Sequence, residues 1–115
     1  MGNLNGSTGT LNVSNGTFNT GTVTLGLGDG TAMGIINQSG GTLTLTGTQL
    51  IIGNGGSGGT PVGNGGNGTY NLSGGTLTAT SVANRGVMLG TNDGGTSTFN
   101  LSGTGTLRAC FETHE

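Results

Sequence analysis

Apolar and polar residues alternate along much of this chain, and one alternating stretch of eight or nine residues, the repeated phrase, occurs four times. It reads LNVSNGTF from Leu11, INQSGGTL from Ile36, YNLSGGTL from Tyr70 and FNLSGTGTL from Phe99. A period of two places successive side chains on opposite faces of a β-strand. The glycine step inside each phrase suits a turn, because glycine accepts positive φ without steric cost. Each phrase therefore predicts two short strands joined by a turn.

A further alternating stretch follows each of the first three phrases and predicts a third strand. The units are about 25 to 35 residues long, which leaves no room for crossover helices and is typical of stacked repeats. We therefore predict an all-β fold: a parallel β-solenoid, or β-helix, of about four coils with three short strands per coil. Residues 1–115 would form a single domain, with repeats at about 9–33, 34–67, 68–96 and 97–115 and a Gly-rich loop insertion at 53–68.

Alignment of the repeats predicts which side chains form the core. The expected inward columns are Leu11, Ile36, Tyr70 and Phe99 in the first strand, Phe18, Leu43, Leu77 and Leu107 in the second, and Leu25, Ile52 and Leu89 in the third. Gln38 interrupts the apolar pattern, and we expect it near a corner where its amide reaches a backbone partner. Ile51 and Met88 are expected to face outward from the third strand.

Two outward columns carry polar side chains. The expected ladders are Asn12, Asn37, Asn71 and Asn100, and Thr17, Thr42, Thr76 and Thr106. Stacked asparagines can hydrogen-bond to one another along the stacking direction. Each Asn also opens an N-x-S glycosylation sequon, which the structural repeat itself explains. A flat T-x-T array can match an ice lattice, although Asn19 and Arg108 interrupt the adjacent column and exposed threonine is also common on β-surfaces.

Composition narrows the classes of partner. Gly provides 29 of the 115 residues, but the net charge is only −2, whereas disordered chains combine low hydrophobicity with high charge. Arg85 and Arg108 are the only basic residues, so we expect no binding to nucleic acid. The chain has no apolar run of membrane-spanning length, so we expect no membrane insertion.

The residues available for chemistry are few and scattered. His114 is the only histidine, and Cys110, the only cysteine, cannot form an internal disulfide. Asp29 and Asp93 fall at the same turn position two units apart, about 9–10 Å at the usual strand spacing, so they cannot share a cation directly. We expect no catalytic residue, no metal site and no cofactor, and the protein is predicted not to be an enzyme.

These phrases, together with the hydrophobic-Gly steps at Leu25-Gly26, Ile52-Gly53 and Leu89-Gly90, resemble the autotransporter-associated β-strand repeats, also called passenger-associated transport repeats. The resemblance covers residues 9–109. It implies a right-handed β-helix in a bacterial extracellular or cell-surface protein, serving as stalk, adhesin or surface matrix.

The functional hypothesis follows from stacked repeats with little chemistry. An open β-edge pairs readily with another chain. We expect an extracellular structural protein that associates end to end as a homopolymer, or with further coils of the same parent protein, into a filament or surface stalk. One alternative is an adhesin or carbohydrate-binding module that uses the 53–68 loop to bind a cell-surface glycan. A further alternative is ice binding by the Thr ladder.

Overall fold

A computed structural model describes residues 1–2, 6–28, 31–47, 50–55, 66–79, 86–89 and 96–109. The regular structure in these ranges is β-strand, which confirms the predicted all-β class. The strands are β1 Thr8–Val13, β2 Thr17–Thr20, β3 Val23–Gly28, β4 Met33–Leu45, β5 Leu50–Gly55, β6 Asn67–Ala79, β7 Val87–Leu89, β8 Ser97–Leu101 and β9 Thr106–Ala109.

The strands form two sheets, and the chain alternates between them. The larger sheet has the order β1-β4-β6-β8, with β2 paired to β4 and β9 paired to β6. The smaller sheet has the order β3-β5-β7. All of these pairings are parallel, as predicted. Because parallel strands cannot be joined by a tight hairpin, each return to the larger sheet passes through the smaller one.

The register places equivalent residues of successive repeats opposite one another. Ile36 lies opposite Leu11 on one side and Tyr70 on the other, and Tyr70 lies opposite Phe99. The same holds in the smaller sheet, where Ile52 pairs with Leu25 and Leu89. Strands therefore pair with their counterparts in the neighbouring repeat, as the repeated phrase predicts.

The middle repeats depart from the three short strands that we expected. Their first and second strands are continuous, and β4 and β6 each span 13 residues. The pairing of β4 with β6 shifts register between Gln38 and Ser39 and again between Ser39 and Thr42. At this bend Gly75 has a φ of 74°, and a Cβ there would collide with the carbonyl oxygen of Gly41. Glycine therefore lets the ladder continue around the bend instead of ending it.

The core lies between the two sheets and is densest in the middle repeats. Its fully buried large side chains include Leu25, Ile36, Leu43, Leu50, Ile52, Tyr70, Leu72 and Leu77. The outer members of the predicted columns, Leu11, Phe99 and Leu107, are partly buried and pack against this cluster.

Two predicted core residues are exposed, which corrects the expectation from the sequence. Phe18 is 42% exposed and Leu89 is 54% exposed. Within the described residues, β2 pairs only with β4 and β7 only with β5, so no next strand covers these side chains. Leu101, on the outermost strand β8, is 54% exposed for the same reason. Ile51 is a correction in the other direction, because it is buried instead of facing solvent.

Candidate functional site: side-chain ladders and sheet edges

The four asparagines form a continuous hydrogen-bonded ladder across the larger sheet. Asn37 Nδ2 donates to Asn12 Oδ1 at 2.9 Å, Asn71 Nδ2 to Asn37 Oδ1 at 2.9 Å, and Asn100 Nδ2 to Asn71 Oδ1 at 2.7 Å. These bonds join residues 25, 34 and 29 positions apart in the sequence. The in-register parallel pairing produces the ladder, because it sets identical side chains one strand spacing apart.

The ladder has a direction. Each side-chain amide donates to the asparagine of the preceding repeat, so the two ends differ chemically. Among the described residues, Asn12 Nδ2 has no acceptor and Asn100 Oδ1 has no donor. Both terminal side chains are exposed. One edge of the sheet thus presents an amide donor, and the opposite edge presents a carbonyl acceptor.

A buried polar cluster connects the second and third repeats. Tyr70 Oη donates to Gln38 Oε1 at 2.5 Å. Gln38 Nε2 donates to the carbonyl oxygens of Thr76, at 3.0 Å, and Gly41, at 3.3 Å. The prediction that Gln38 finds backbone partners at a corner is therefore confirmed. Across the described residues, no buried side-chain nitrogen or oxygen lacks a hydrogen bond.

The role of Tyr70 is not evident from its place in an apolar column. The sequence does contain a signal for the Tyr70–Gln38 hydrogen bond. A buried tyrosine normally needs a partner for its hydroxyl, and Gln38 is the one polar residue in the predicted inward columns. Burial raises the pKa of the Tyr70 phenol above its ordinary value. The Tyr70 ring also stacks on Phe99, with ring centroids 5.2 Å apart. Tyr70 thus contacts the repeat before it and the repeat after it.

The Leu25-Gly26 step lies within β3 and places two backbones in close contact. Gly26 has a φ of 64°, and a Cβ on it would collide with the carbonyl oxygen of Asn67. A Cβ on Gly34 would lie 2.7 Å from the backbone nitrogen of Gly26. In the fourth repeat Ser97 stands at the position of Gly34 and Gly68, and its Oγ donates to the Ile52 carbonyl oxygen at 2.5 Å.

The predicted Thr ladder occupies one register column. Thr17, Thr42, Thr76 and Thr106 lie opposite one another in sequence order. The adjacent column contains Asn19, Thr44, Thr78 and Arg108. The T-x-T pattern is therefore complete only on β4 and β6, where these threonines are half-buried.

Met1 extends the edge of the smaller sheet. Its nitrogen donates to the Thr24 carbonyl oxygen at 2.6 Å, and the Gly26 nitrogen donates to its carbonyl oxygen at 2.8 Å. This pair of bonds is the parallel pattern that sets Met1 opposite Leu25. Arg108 is the only charged side chain in the described ranges, and the amino group of Met1 adds a positive charge at the edge of the smaller sheet.

Several predicted features lie outside the described residues. They are Asp29, Arg85, Asp93, Cys110, His114 and most of the Gly-rich 53–68 loop. In the part of the chain that the structure describes, no group of three or more His, Cys, Asp or Glu residues could hold a metal ion. Nor does any helix in the described ranges have the length and apolar character needed to cross a membrane.

Comparison of the chain with protein-family models, with curated proteins and with solved structures found no match. The resemblance to autotransporter-associated repeats therefore depends on the repeated phrases themselves.

Proposed function

We propose that this chain is a structural β-solenoid whose repeats pair edge to edge with further repeats to build a filament or a surface stalk. The observation that carries this proposal is the register: on both sides of the bend at Ser39, where the pairing of β4 with β6 shifts, counterpart residues of successive repeats lie opposite one another, and they do so in both sheets. Such a ladder can be extended by another repeat without a change in geometry. The strong preference of parallel crossover connections for one hand favours right-handed winding.

The edges provide the driving force for extension. Within the described residues, β1 and β2 have a partner strand on one side only, as do β8 and β9. Unpaired N–H and C=O groups on such a strand pair readily with another chain. The exposed side chains of Phe18 and Leu101 would also lose contact with water in the extended ladder. The natural occupant is another repeat of the same kind, in a second copy or in the same parent protein.

The resemblance to autotransporter-associated repeats supports an extracellular or cell-surface location in bacteria. A stalk or filament needs length and regular packing, and it does not need a reactive pocket. The near absence of charge and the uniform use of Gly, Thr and Asn fit that requirement.

Thr10→Pro tests edge pairing directly. The Met33 nitrogen donates to the Ser7 carbonyl oxygen, so the backbone groups of Ser7 face β4. Alternate residues of a parallel strand bond to opposite neighbours, and the N–H and C=O groups of Thr10 therefore face away from β4, towards the open edge of the sheet. Proline there removes an outward N–H and leaves the bonds to β4 in place. We expect sedimentation and electron microscopy, across a dilution series, to show filaments for the unmodified protein and for the control Thr10→Val, but monomers for Thr10→Pro.

Small particles of constant mass for the unmodified protein at every concentration would argue against self-assembly. Equal assembly by Thr10→Pro, with unchanged circular dichroism, would show that β1 is not the edge that pairs.

The aligned threonines favour a second candidate, ice binding. Successive threonines within a column lie about 4.7–4.9 Å apart, because that is the spacing of neighbouring strands. Inhibition of ice recrystallisation by the purified protein, lost in Thr42→Lys and kept in Asn37→Lys, would support it. Glycan binding by the 53–68 loop also stays a prediction, and deletion of the loop should then abolish attachment to cells.

A further inference from the structure

We infer that copies of this chain join head to tail, with β8 and β9 of one copy pairing in parallel with β1 and β2 of the next. In this junction Phe99 lies opposite Leu11, Asn100 opposite Asn12, and Thr106 opposite Thr17. The inference rests on the proposed function, because it specifies the geometry by which the edges meet. A head-to-head contact between two β1 edges is the alternative that it excludes.

Backbone polarity at the two edges supports this register. The Gly68 nitrogen donates to the Thr96 carbonyl oxygen and the Ser102 nitrogen donates to the Leu72 carbonyl oxygen, so even-numbered residues of β8 face β6 and Phe99 faces outward. By the same alternation, Thr10 and Asn12 face outward from β1. With Phe99 opposite Leu11, the Phe99 backbone meets those of Thr10 and Asn12, which repeats the pattern found between the paired strands of one chain.

The bend in the chain is compatible with the same register. One more residue separates Leu101 from Thr106 than separates Leu72 from Thr76, yet these segments pair on both sides of the bend. The extra residue is taken up by a turn in which the Gly105 nitrogen donates to the Ser102 carbonyl oxygen at 3.1 Å. Val13 and Thr17 have the same separation as Leu72 and Thr76. The edge formed by β1 and β2 therefore fits the edge formed by β8 and β9.

The Asn ladder continues across this junction and gives it a direction. The free Nδ2 of Asn12 in one copy would donate to the free Oδ1 of Asn100 in the other. A head-to-head contact would instead bring two amide donors together. Among the described residues Arg108 is the only charged side chain, and in this register it meets the neutral Asn19.

The two edges are different surfaces, so the contact is heterologous. A heterologous contact leaves a free edge after each addition and yields open linear chains when its rotation does not close a ring. A head-to-head contact is isologous and would stop at a dimer. Direction therefore decides whether the assembly can grow.

Disulfide trapping tests the direction and the register together. In a Cys110→Ser background, Thr17→Cys and Thr106→Cys leave the Asn ladder intact. Facing residues of paired strands lie about 4.7–4.9 Å apart, within the range of roughly 4.4–6.8 Å between Cα atoms that a disulfide spans. We expect a mixture of the two variants to form covalent dimers on mild oxidation. A protein that carries both substitutions should form covalent chains of many copies.

Two controls are matched to this experiment. Thr17→Cys alone should not cross-link, because head-to-tail packing keeps two copies of Thr17 apart. Thr8→Cys mixed with Thr106→Cys should not cross-link either, because these residues lie in different columns. Efficient cross-linking of Thr17→Cys alone would overturn the inference in favour of head-to-head contacts. Filaments in which the mixture of Thr17→Cys and Thr106→Cys gives no cross-link would overturn the register. If no variant assembles, the proposed function fails and this inference fails with it.

A pair of isosteric substitutions tests the amide bond at the junction. Asn12→Asp keeps the acceptor for Asn37 but sets a carboxylate against Asn100 Oδ1 of the next copy, so the affinity of assembly should fall roughly tenfold. Asn100→Asp keeps an acceptor at the junction but loses the donation to Asn71. It should lower the stability of the monomer and spare assembly. The two variants change net charge equally. A larger loss of assembly in Asn100→Asp than in Asn12→Asp would reverse the assigned ladder direction.

Discussion

Individual residues show how one repeat recognises the next. Gln38 stands in the column where the other repeats have Val13, Leu72 and Leu101, and it is fully buried. Its side chain is held by Tyr70 from the following repeat and by two backbone carbonyls. A buried polar group is tolerated only when its hydrogen bonds are made, so this cluster favours one pairing of repeats over shifted ones.

Removal of the Tyr70 hydroxyl should cost stability because it leaves Gln38 Oε1 buried without its donor. We expect Tyr70→Phe to lower the free energy of unfolding by about 1–3 kcal/mol in urea denaturation. Gln38→Leu in the same background should recover part of that loss, since an apolar pair then replaces a half-satisfied polar one. Losses that simply add in the double variant would contradict a coupled pair.

The pKa of Tyr70 gives the fold a predicted alkaline limit. Burial raises this pKa above the ordinary 10.0, and the folded protein therefore binds the phenolic proton more tightly than the unfolded chain. The stabilisation is complete below pH 10 and is lost as the pH rises from there towards the folded-state pKa.

Tyr70 is the only tyrosine and the chain has no tryptophan, so tyrosinate absorbance reports this residue alone. We expect the phenol to ionise at higher pH in the folded protein than in urea, together with the loss of β-structure. Tyr70→Phe should weaken this alkaline unfolding. Ionisation at the ordinary pKa with unchanged circular dichroism would mean that the hydroxyl is not buried.

At the scale of elements, a comparison of three glycines distinguishes the effect of backbone conformation on stability from the effect of crowding. Gly26 combines positive φ with a carbonyl group in contact, Gly16 has positive φ in open space, and Gly21 is not among the residues with positive φ and is also open. We expect Gly16→Ala to lower the free energy of unfolding by about 1–2 kcal/mol and Gly26→Ala to lower it by more. Gly21→Ala should have no effect or a small stabilising one. Urea midpoints rank the three, and equal midpoints for Gly26→Ala and Gly16→Ala would argue against the close backbone contact.

The strand pairing could be predicted from sequence because the repeated phrase fixes the register of each strand against the next. The exposure of Phe18 and Leu89 could not be predicted, because the pattern identifies the inward face but not whether another strand covers it. Nor does the sequence predict that β4 and β6 are long and continuous. Gly40-Gly41 in β4 and Gly74-Gly75 in β6 look like turns when the neighbouring strand is ignored. The Asn ladder follows from the register, but its direction depends on side-chain amides that the sequence does not orient.

At the scale of the molecule, the burial of each repeat depends on the repeats that precede and follow it along the stacking direction. Ile36 and Tyr70 have a repeat on each side and are fully buried, whereas Leu11 and Phe99 have one and are only partly buried. Stability in such an arrangement is close to a sum over repeats and the contacts between them. The outer repeats should therefore open more readily than the middle ones.

Native-state hydrogen exchange measures this gradient and its change on assembly. In dilute protein we expect the slowest exchange in β4 and β6 and faster exchange in β2, β7, β8 and β9, because local opening at an edge breaks fewer contacts. On assembly, protection should rise in β1, β2, β8 and β9 and stay unchanged in β4 and β6. Uniform protection in the dilute protein would mean that the sheets open as one cooperative unit. Protection gained mainly in β4 and β6 would place the contact between copies on the face of the large sheet, and end-to-end pairing would then not be the basis of assembly.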